Sequence, residues 1–442
     1  MYLRKIIIIS TITLTTLQFT AFAGERGNGS RFGKFDVFSR LRTEYVEQPI
    51  ANTSQKVNDS NAFAETLRLD VIYSTPVYNN FSGKFGIQAV QNVLPFLEEH
   101  YNSTTNGNTQ YSQIPDPNGF RIINATLKYS GLRNTQITIG RQQFGLDNNR
   151  YIGMQNWRQN IRVFDGIFIE NDAIDNLHIA YIYNTAVHSG ADSLSNSHLT
   201  TNNHILNAAY TIPNIGKLVG YNYYLDFLRT PSSNATVGTF SSNNTTGVKF
   251  SGANQHDAGD ISYAIEGATQ VGVDLAPNYR ANYYNAELGF DGKSFFYKAA
   301  FESLGGASKY GTAFKTPLST VHNVNGWADV FATPLPIYGL NDSSVLLGYK
   351  VQNFGILNNV RTSVQYRSFT GEEISDSYGW EVNWILEKQF TKQFSVMLKF
   401  AQYFADSTAR TFSNKKNAWS NDTTKAWLMF QYNTENIFKF AR

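Results

Sequence analysis

Between Asn61 and Thr75 the chain alternates, with Leu67, Leu69, Val71 and Tyr73 on one parity and Thr66, Arg68 and Asp70 on the other. A period of two marks a strand with one apolar and one polar face. The pattern returns along the whole chain. Phe35–Glu47 sets Asp36, Arg40, Arg42 and Glu44 against Val37, Leu41 and Tyr45. Lys217–Leu228 sets Val219, Tyr221, Tyr223, Leu225 and Phe227 against Asn222 and Asp226, and Ser377–Gln389 sets Tyr378, Trp380, Val382, Trp384 and Leu386 against Glu381, Asn383 and Glu387. Strands are read at 35–47, 62–77, 81–93, 121–129, 136–141, 163–170, 177–183, 205–211, 217–228, 245–252, 260–270, 281–291, 294–304, 344–352, 360–369, 377–389, 394–404 and 425–432. Eighteen is an even number, as a bacterial membrane barrel requires. Aromatics gather near the strand ends, the girdle expected where a barrel crosses the membrane interface. No segment after the N-terminus has the ~18 uninterrupted apolar residues of a spanning helix. The expected class is therefore all-β, a transmembrane antiparallel barrel of the outer-membrane type.

Connections support this. Asn79-Asn80 and Asp291-Gly292-Lys293 are short and read as periplasmic turns, whereas His100 to Gly119, His188 to Asn203 and Ser232 to Asn244 are long, polar and read as outside loops. Charged residues are 16% of the chain, below the ~25% usual in soluble domains, and aromatics reach 14%. A secreted β-sandwich also alternates, but it needs far fewer strands and no aromatic ends. At the N-terminus Arg4 and Lys5 precede an apolar stretch from Ile6 to Phe19, and Ala21-Phe22-Ala23 has the small-x-small cleavage pattern. Residues 1–23 are expected to be a secretory signal peptide and 24–442 a single barrel domain in the outer membrane of a Gram-negative bacterium. The last strand is expected to close either near Tyr432 or at Phe440.

Chemistry at a site finds little support. The chain has no cysteine, which removes thiol enzymes and Cys-ligated metals. Its seven histidines (100, 178, 188, 198, 204, 256, 322) show no His-x-x-x-His spacing, and the adjacent pairs His188-Ser189 and Ser197-His198 point to opposite faces of a strand. A barrel phospholipase or protease is thus a distant alternative, and no cofactor is expected. Without Arg4 and Lys5 the chain carries 35 basic against 34 acidic residues, so nucleic acid is not an expected partner.

The stretch Gly140 to Gly166 differs in kind. Arg141, Arg150, Arg158 and Arg162 stand among Asp147, Asp165 and several amides with little periodicity. Guanidinium groups grip carboxylates, so such a cluster either holds an acidic solute in a pore or braces a barrel wall. Here the sequence resembles a known family. Gly140-Arg141-Gln142, Leu146-Asp147-Asn148-Asn149-Arg150, Gly153, Trp157-Arg158-Gln159-Asn160 and Phe164-Asp165 resemble the signature of the alginate export family of outer-membrane porins, as do Gly326-Trp327-Ala328-Asp329-Val330-Phe331 and Gly339-Leu340-Asn341-Asp342 downstream.

That resemblance implies an eighteen-stranded barrel with loops narrowing the pore, and an arginine-lined constriction flanked by acids. By motif it implies Arg141, Arg150, Arg158, Asp147 and Asp165 as solute-pathway residues, with Arg40, Arg42, Arg68, Arg361 and Arg367 added from strand parity. The same parity also turns Glu266, Glu287, Glu302, Glu381 and Glu387 inward, so the lumen is expected to be mixed in charge. The leading expectation is a channel for hydrophilic, anionic solutes. The alternative is alginate-type export of an acidic polysaccharide. Membrane lipid is the expected surrounding.

Overall fold

The computed structural model of the protein describes residues 33–49, 61–94, 98–102, 106–189, 198–228, 241–274, 276–331, 335–352, 354–413 and 417–434. The signal-peptide expectation lies outside the described residues. Eighteen antiparallel strands form one sheet: β1 (Lys34–Glu47), β2 (Ala62–Ser74), β3 (Phe81–Asn92), β4 (Gly119–Leu132), β5 (Thr135–Gln142), β6 (Val163–Ile174), β7 (Leu177–His188), β8 (Leu199–Ile212), β9 (Gly216–Leu225), β10 (Asn243–Asn254), β11 (Gly259–Gly272), β12 (Arg280–Gly292), β13 (Phe295–Leu304), β14 (Leu340–Val351), β15 (Val360–Thr370), β16 (Ser377–Gln389), β17 (Phe394–Ala405) and β18 (Thr423–Thr434). Each pairs with its chain neighbours, and β1 pairs with β18 from Val37↔Thr434 to Glu47↔Thr424, which closes the barrel. Every strand read from the sequence has its counterpart here. The final strand runs through Tyr432 to Thr434, the last described residue, and the alternative closure at Phe440 lies outside the described residues.

Closure explains the residue pattern. A spanning chain must pair every backbone N–H and C=O internally, and strands achieve this only without edges. One face of each strand then meets lipid and the other meets the lumen. Leu69, Ile265, Leu288, Val345 and Leu347 are exposed on the outer face, while Arg40, Arg42, Glu44, Arg68, Glu381 and Lys399 are buried inside. This inverts a soluble protein's distribution.

Short connections gather at one end of the barrel and long ones at the other. Two long loops turn inward: L3 (143–162), between β5 and β6, and L7 (305–339), between β13 and β14. Their apolar residues Tyr151, Ile152, Phe314, Leu318, Val330 and Phe331 form a core inside the barrel with Tyr221, Tyr223, Tyr283, Tyr378 and Trp427 of the wall. The interior is therefore largely filled on the β6–β12 side. The β9 pattern has its cause here, because the row Val219, Tyr221, Tyr223 and Leu225 faces this inner core and its opposite face, with exposed Leu218, meets lipid. Tyr378 likewise lies inside although Trp380 and Trp384 face out, next to a register shift at Phe369/Thr370 and a Gly379 φ of +141°.

Mid-strand outer positions should reject charge. Leu69→Arg and Leu347→Arg are expected to destabilise the assembled barrel by about 2–4 kcal/mol, against much less for the lumen-facing Lys298→Gln. Urea unfolding in lipid vesicles reads the difference. Equal losses in both sets would contradict the assignment of faces.

Candidate functional site: the lumen neck

L3 and L7 are joined to each other before they meet the wall. Ile152 and Leu318 form a parallel bridge, the Gly153 N–H donates to the Leu318 carbonyl (2.8 Å), and the Thr320 N–H donates to the Asn149 carbonyl (3.1 Å). A Cβ at Gly153 would collide with the Thr320 hydroxyl, so glycine is what allows this approach. Arg162 ties the joint with bonds to the carbonyls of Gly153 and Ser319 (both 3.2 Å).

The wall facing this joint is basic and made of neighbouring strands. Reading inward from the loop end, β18 places Lys425, Trp427, Met429 and Gln431 in successive rows about 7 Å apart. Lys399 of β17 lies beside Trp427, Arg42 of β1 beside Met429, and Arg40 beside Gln431, with Arg68 of β2 opposite Arg40.

The tip of L3 is fastened to this wall by charge-assisted bonds. Arg42 donates to the Trp157 carbonyl (2.6 Å) and pairs with Asp116 from the loop 93–118. Arg158 pairs with Glu44 (3.1 Å) and Asp116 (3.3 Å), and Asp116 also accepts the Gln159 N–H (2.7 Å). Burial alone would raise the Asp116 carboxyl, but the Arg42 and Arg158 guanidiniums hold it below the ordinary carboxylate range. Arg68 pairs with Asp70 and donates to Asn156 (2.8 Å).

L7 is fastened by a second cluster. Gly326 has φ +94° and lies so close to the Glu381 carboxylate that no side chain fits, and the Trp327 N–H donates to that carboxylate (2.6 Å). His322 stacks on Trp157 at 3.9 Å, with an interplanar angle of 2°. Its Nδ1 donates to Asp329 (2.9 Å), which also pairs with Lys425 (3.2 Å), and its Nε2 accepts from Lys399 (2.7 Å). Burial lowers the His322 pKa well below the histidine range; the Lys399 ammonium pushes the same way and together they outweigh the pull of Asp329. The ring is neutral. Lys399 also lies over Trp157 (4.2 Å) and Trp327 (3.7 Å).

Among the described residues, two cavities lie beside the basic wall. One, of 230 Å³, opens toward the long loops and is lined by Gln48, Gln113, Arg158, His322, Asp329 and Lys425. The other, of 310 Å³, opens toward the short turns and is lined by Arg40, Asn156, Met397 and Gln431 among others. Trp157 and Thr320 line both, and so mark the neck between them.

The sequence-derived residues distribute unevenly around this neck. Arg40, Arg42, Arg68 and Arg158 converge on it. Arg150 is buried deeper, paired with Glu302 (2.8 Å) and donating to Asn325 (3.0 Å). Arg367 pairs with Asp342, and Arg361 lies over Phe296 at 3.8 Å toward the turn end. Asp147 accepts from Asn207 (3.0 Å) on the filled side. Arg141 stands apart, because its register row runs Phe85, Ala125, Arg141, Asp165, and directly opposed residues share a face. Phe85 is exposed on the outer wall, so Arg141 and its partners Asp165 (2.7 Å) and His188 (2.7 Å) belong to the outward row rather than the lumen. Lys399, Lys425 and Asp116 are neck residues that the motifs did not single out, and Asp329, which stands in the downstream motif, was not among the expected pathway residues. Strand parity alone would have placed the two lysines.

The neutral His322 has a consequence for stability. Below about pH 6.5 an unfolded histidine takes up a proton that the folded chain refuses, so stability present above that pH declines as pH falls through this window. His322→Gln should remove that part of the decline. Unfolding midpoints at pH 7.5 and 5.0 for both proteins measure it, and an identical drop in the variant would refute a neutral ring.

No curated protein matches this sequence. Solved structures share its fold: OccAB4 of Acinetobacter baumannii is 13% identical with a TM-score of 0.67, covering 92% of this chain and 99% of its own. OccK9 (OpdG) of Pseudomonas aeruginosa is 11% identical with a TM-score of 0.65 over 91% and 98%, and OpdQ of the same organism is 12% identical with a TM-score of 0.63 over 92% and 99%. The family model described as alginate export matches residues 48–302, which include L3 and most of the strands that carry it. With an eighteen-stranded closed barrel, inward loops and that match, the chain belongs to the alginate export family and is a porin-type channel of the Gram-negative outer membrane.

Proposed function

We propose that this channel passes small hydrophilic anions, carboxylates foremost, along the wall formed by β17, β18, β1 and β2. The observation that carries the reading is the state of Arg40. Its Nη1 donates to the carbonyls of Asn156 (2.9 Å) and Trp157 (3.0 Å) and its Nε to Gln431 (2.9 Å), yet no carboxylate lies within 4 Å among the described residues. Its Nη2 makes no hydrogen bond there, and the side chain lines the larger cavity. An unpaired guanidinium beside a narrow path raises the local anion concentration even in a nearly neutral protein.

Lys399 lies on the same wall, one strand over from Lys425 and Trp427. Its partners are His322 and tryptophan faces rather than an acid. By contrast Arg42, Arg68, Arg150, Arg158 and Arg367 each pair with Asp or Glu, and they brace the loops. Arg361 adds a cation at the turn end. The small cavities and the L3–L7 joint favour solutes of a few heavy atoms to a single ring over a polyuronate chain. The proposal gives the chain no catalytic step.

Reversal potentials across planar bilayers in a KCl gradient test this. Wild type should prefer chloride, Arg40→Gln should lose much of that preference at low salt, where the Debye length is about 30 Å, and the difference should shrink at 1 M, where it is about 3 Å. Arg141→Gln, on the outward row, should match wild type. An unchanged potential in Arg40→Gln would overturn the assignment.

A further inference from the structure

The chain has four methionines, and three of them meet in one place. Met154, Met397 and Met429 all line the 310 Å³ cavity on the turn side of the neck. Met397 and Met429 are directly opposed on β17 and β18, which sets their Cβ atoms about 5 Å apart. Met154 arrives from L3, where its carbonyl accepts the Arg162 N–H (2.7 Å). Trp157 continues this apolar side toward the neck. The rest of the lining is polar, with Arg40, Asn149, Asn156, Asn323 and Gln431.

Three thioethers admit two chemistries. They are soft ligands for a monovalent ion such as Cu⁺ or Ag⁺, and they are a polarizable, adaptable bed for an apolar group, aromatic rings above all. Arg40 decides between them. Its guanidinium lines the same cavity without a carboxylate to offset it, so the site repels a cation and attracts an anion. The cavity thus has a cationic end and an apolar bed, and its volume falls at the lower edge of ordinary ligand pockets, about 300–1,000 Å³.

Building on the anion reading above, we propose that this cavity is a binding subsite for a small carboxylate with an apolar, preferably aromatic, body. The carboxylate meets Arg40 end-on through the free Nη2 hydrogens, because Nε and Nη1 are already engaged. Side-chain amides of the lining supply further donors. The ring rests on Met397, Met429 and Met154, with the indole of Trp157 marking the step to the neck. Such a subsite makes the channel selective among anions, holding ring carboxylates long enough to favour their passage over hydroxylated ones of equal charge.

The test is the ratio of benzoate to gluconate flux into proteoliposomes. Comparing each variant with wild type cancels the size difference between the two solutes. Met397→Gln, half-buried and polar at similar length, should lower the ratio roughly threefold to tenfold, the scale of one or two lost thioether–ring contacts. Met397→Leu should retain most of it. Met429→Gln should act in the same direction, and because Met429 is fully buried its assembly is checked by heat-modifiable migration, with Met397→Gln standing as the independent variant. An unmoved ratio in assembled Met397→Gln overturns the subsite. Block of the wild-type current by micromolar Ag⁺ that Met397→Leu abolishes also overturns it, in favour of a soft-cation site. Either result can occur with the KCl anion preference intact, whereas a wild-type channel that prefers potassium would remove the anion reading itself.

Discussion

Lipid offers no hydrogen bonds, and the architecture follows from that. Once the backbone is paired by closing β18 on β1, outer positions must be apolar and nearly all groups capable of chemistry turn inward. An eighteen-stranded cylinder filled only by its wall side chains would leave a wide aqueous bore. L3 and L7 occupy that space, and they do so with two kinds of contact on two sides. Against β6–β12 they bury tyrosine and phenylalanine. Against β17–β2 they present backbone carbonyls and carboxylates to a row of cations.

Charge pairing inside this barrel does different work at different residues. Taking Arg42 and Asp116 out of water carries a desolvation cost, which is recovered only when both are multiply bonded, as they are here through Glu44, Arg158, the Trp157 carbonyl and the Gln159 N–H. These groups hold L3 in one position and cancel each other's field. Arg40 is satisfied by neutral partners instead, and in the proposed function its charge is the one left to act on the neck. On the proposed reading, what accepts an arginine's hydrogen bonds distinguishes one that braces a loop from one that selects a solute.

Much of this was legible in the residues. Period-two alternation located all eighteen strands because the two environments of a barrel wall are chemically opposite. The motifs at Trp157-Arg158-Gln159-Asn160 and Gly326-Trp327-Ala328-Asp329 proved to be the inward tips of L3 and L7. What alternation could not reveal was the direction of an apolar row. Val219, Tyr221, Tyr223 and Leu225 would suit lipid equally well, and only the contact with Tyr151 of L3 turns them inside. Arg141 shows the converse, since clustering along the chain with Arg150 and Arg158 suggested the lumen, whereas its shared parity with Ile137 and Ile139 already pointed outward. The convergence of Met154, Met397 and Met429 was equally invisible, because it needs both the register that opposes Met397 to Met429 and the inward fold of L3, more than two hundred residues earlier, that brings Met154 to them.

Thr320 and Trp157 mark the neck, and the proposed anion path requires its potential to be positive. The absence of native cysteine permits a direct reading of both parts. A single Thr320→Cys, reconstituted in a bilayer, can be treated in turn with an anionic and a cationic methanethiosulfonate, each rate normalised to that with a free thiol. A positive neck gives faster modification by the anionic reagent, a stepwise fall in conductance on modification, and loss of the rate difference in high salt. Faster reaction with the cationic reagent, or modification that leaves conductance unchanged, would contradict it.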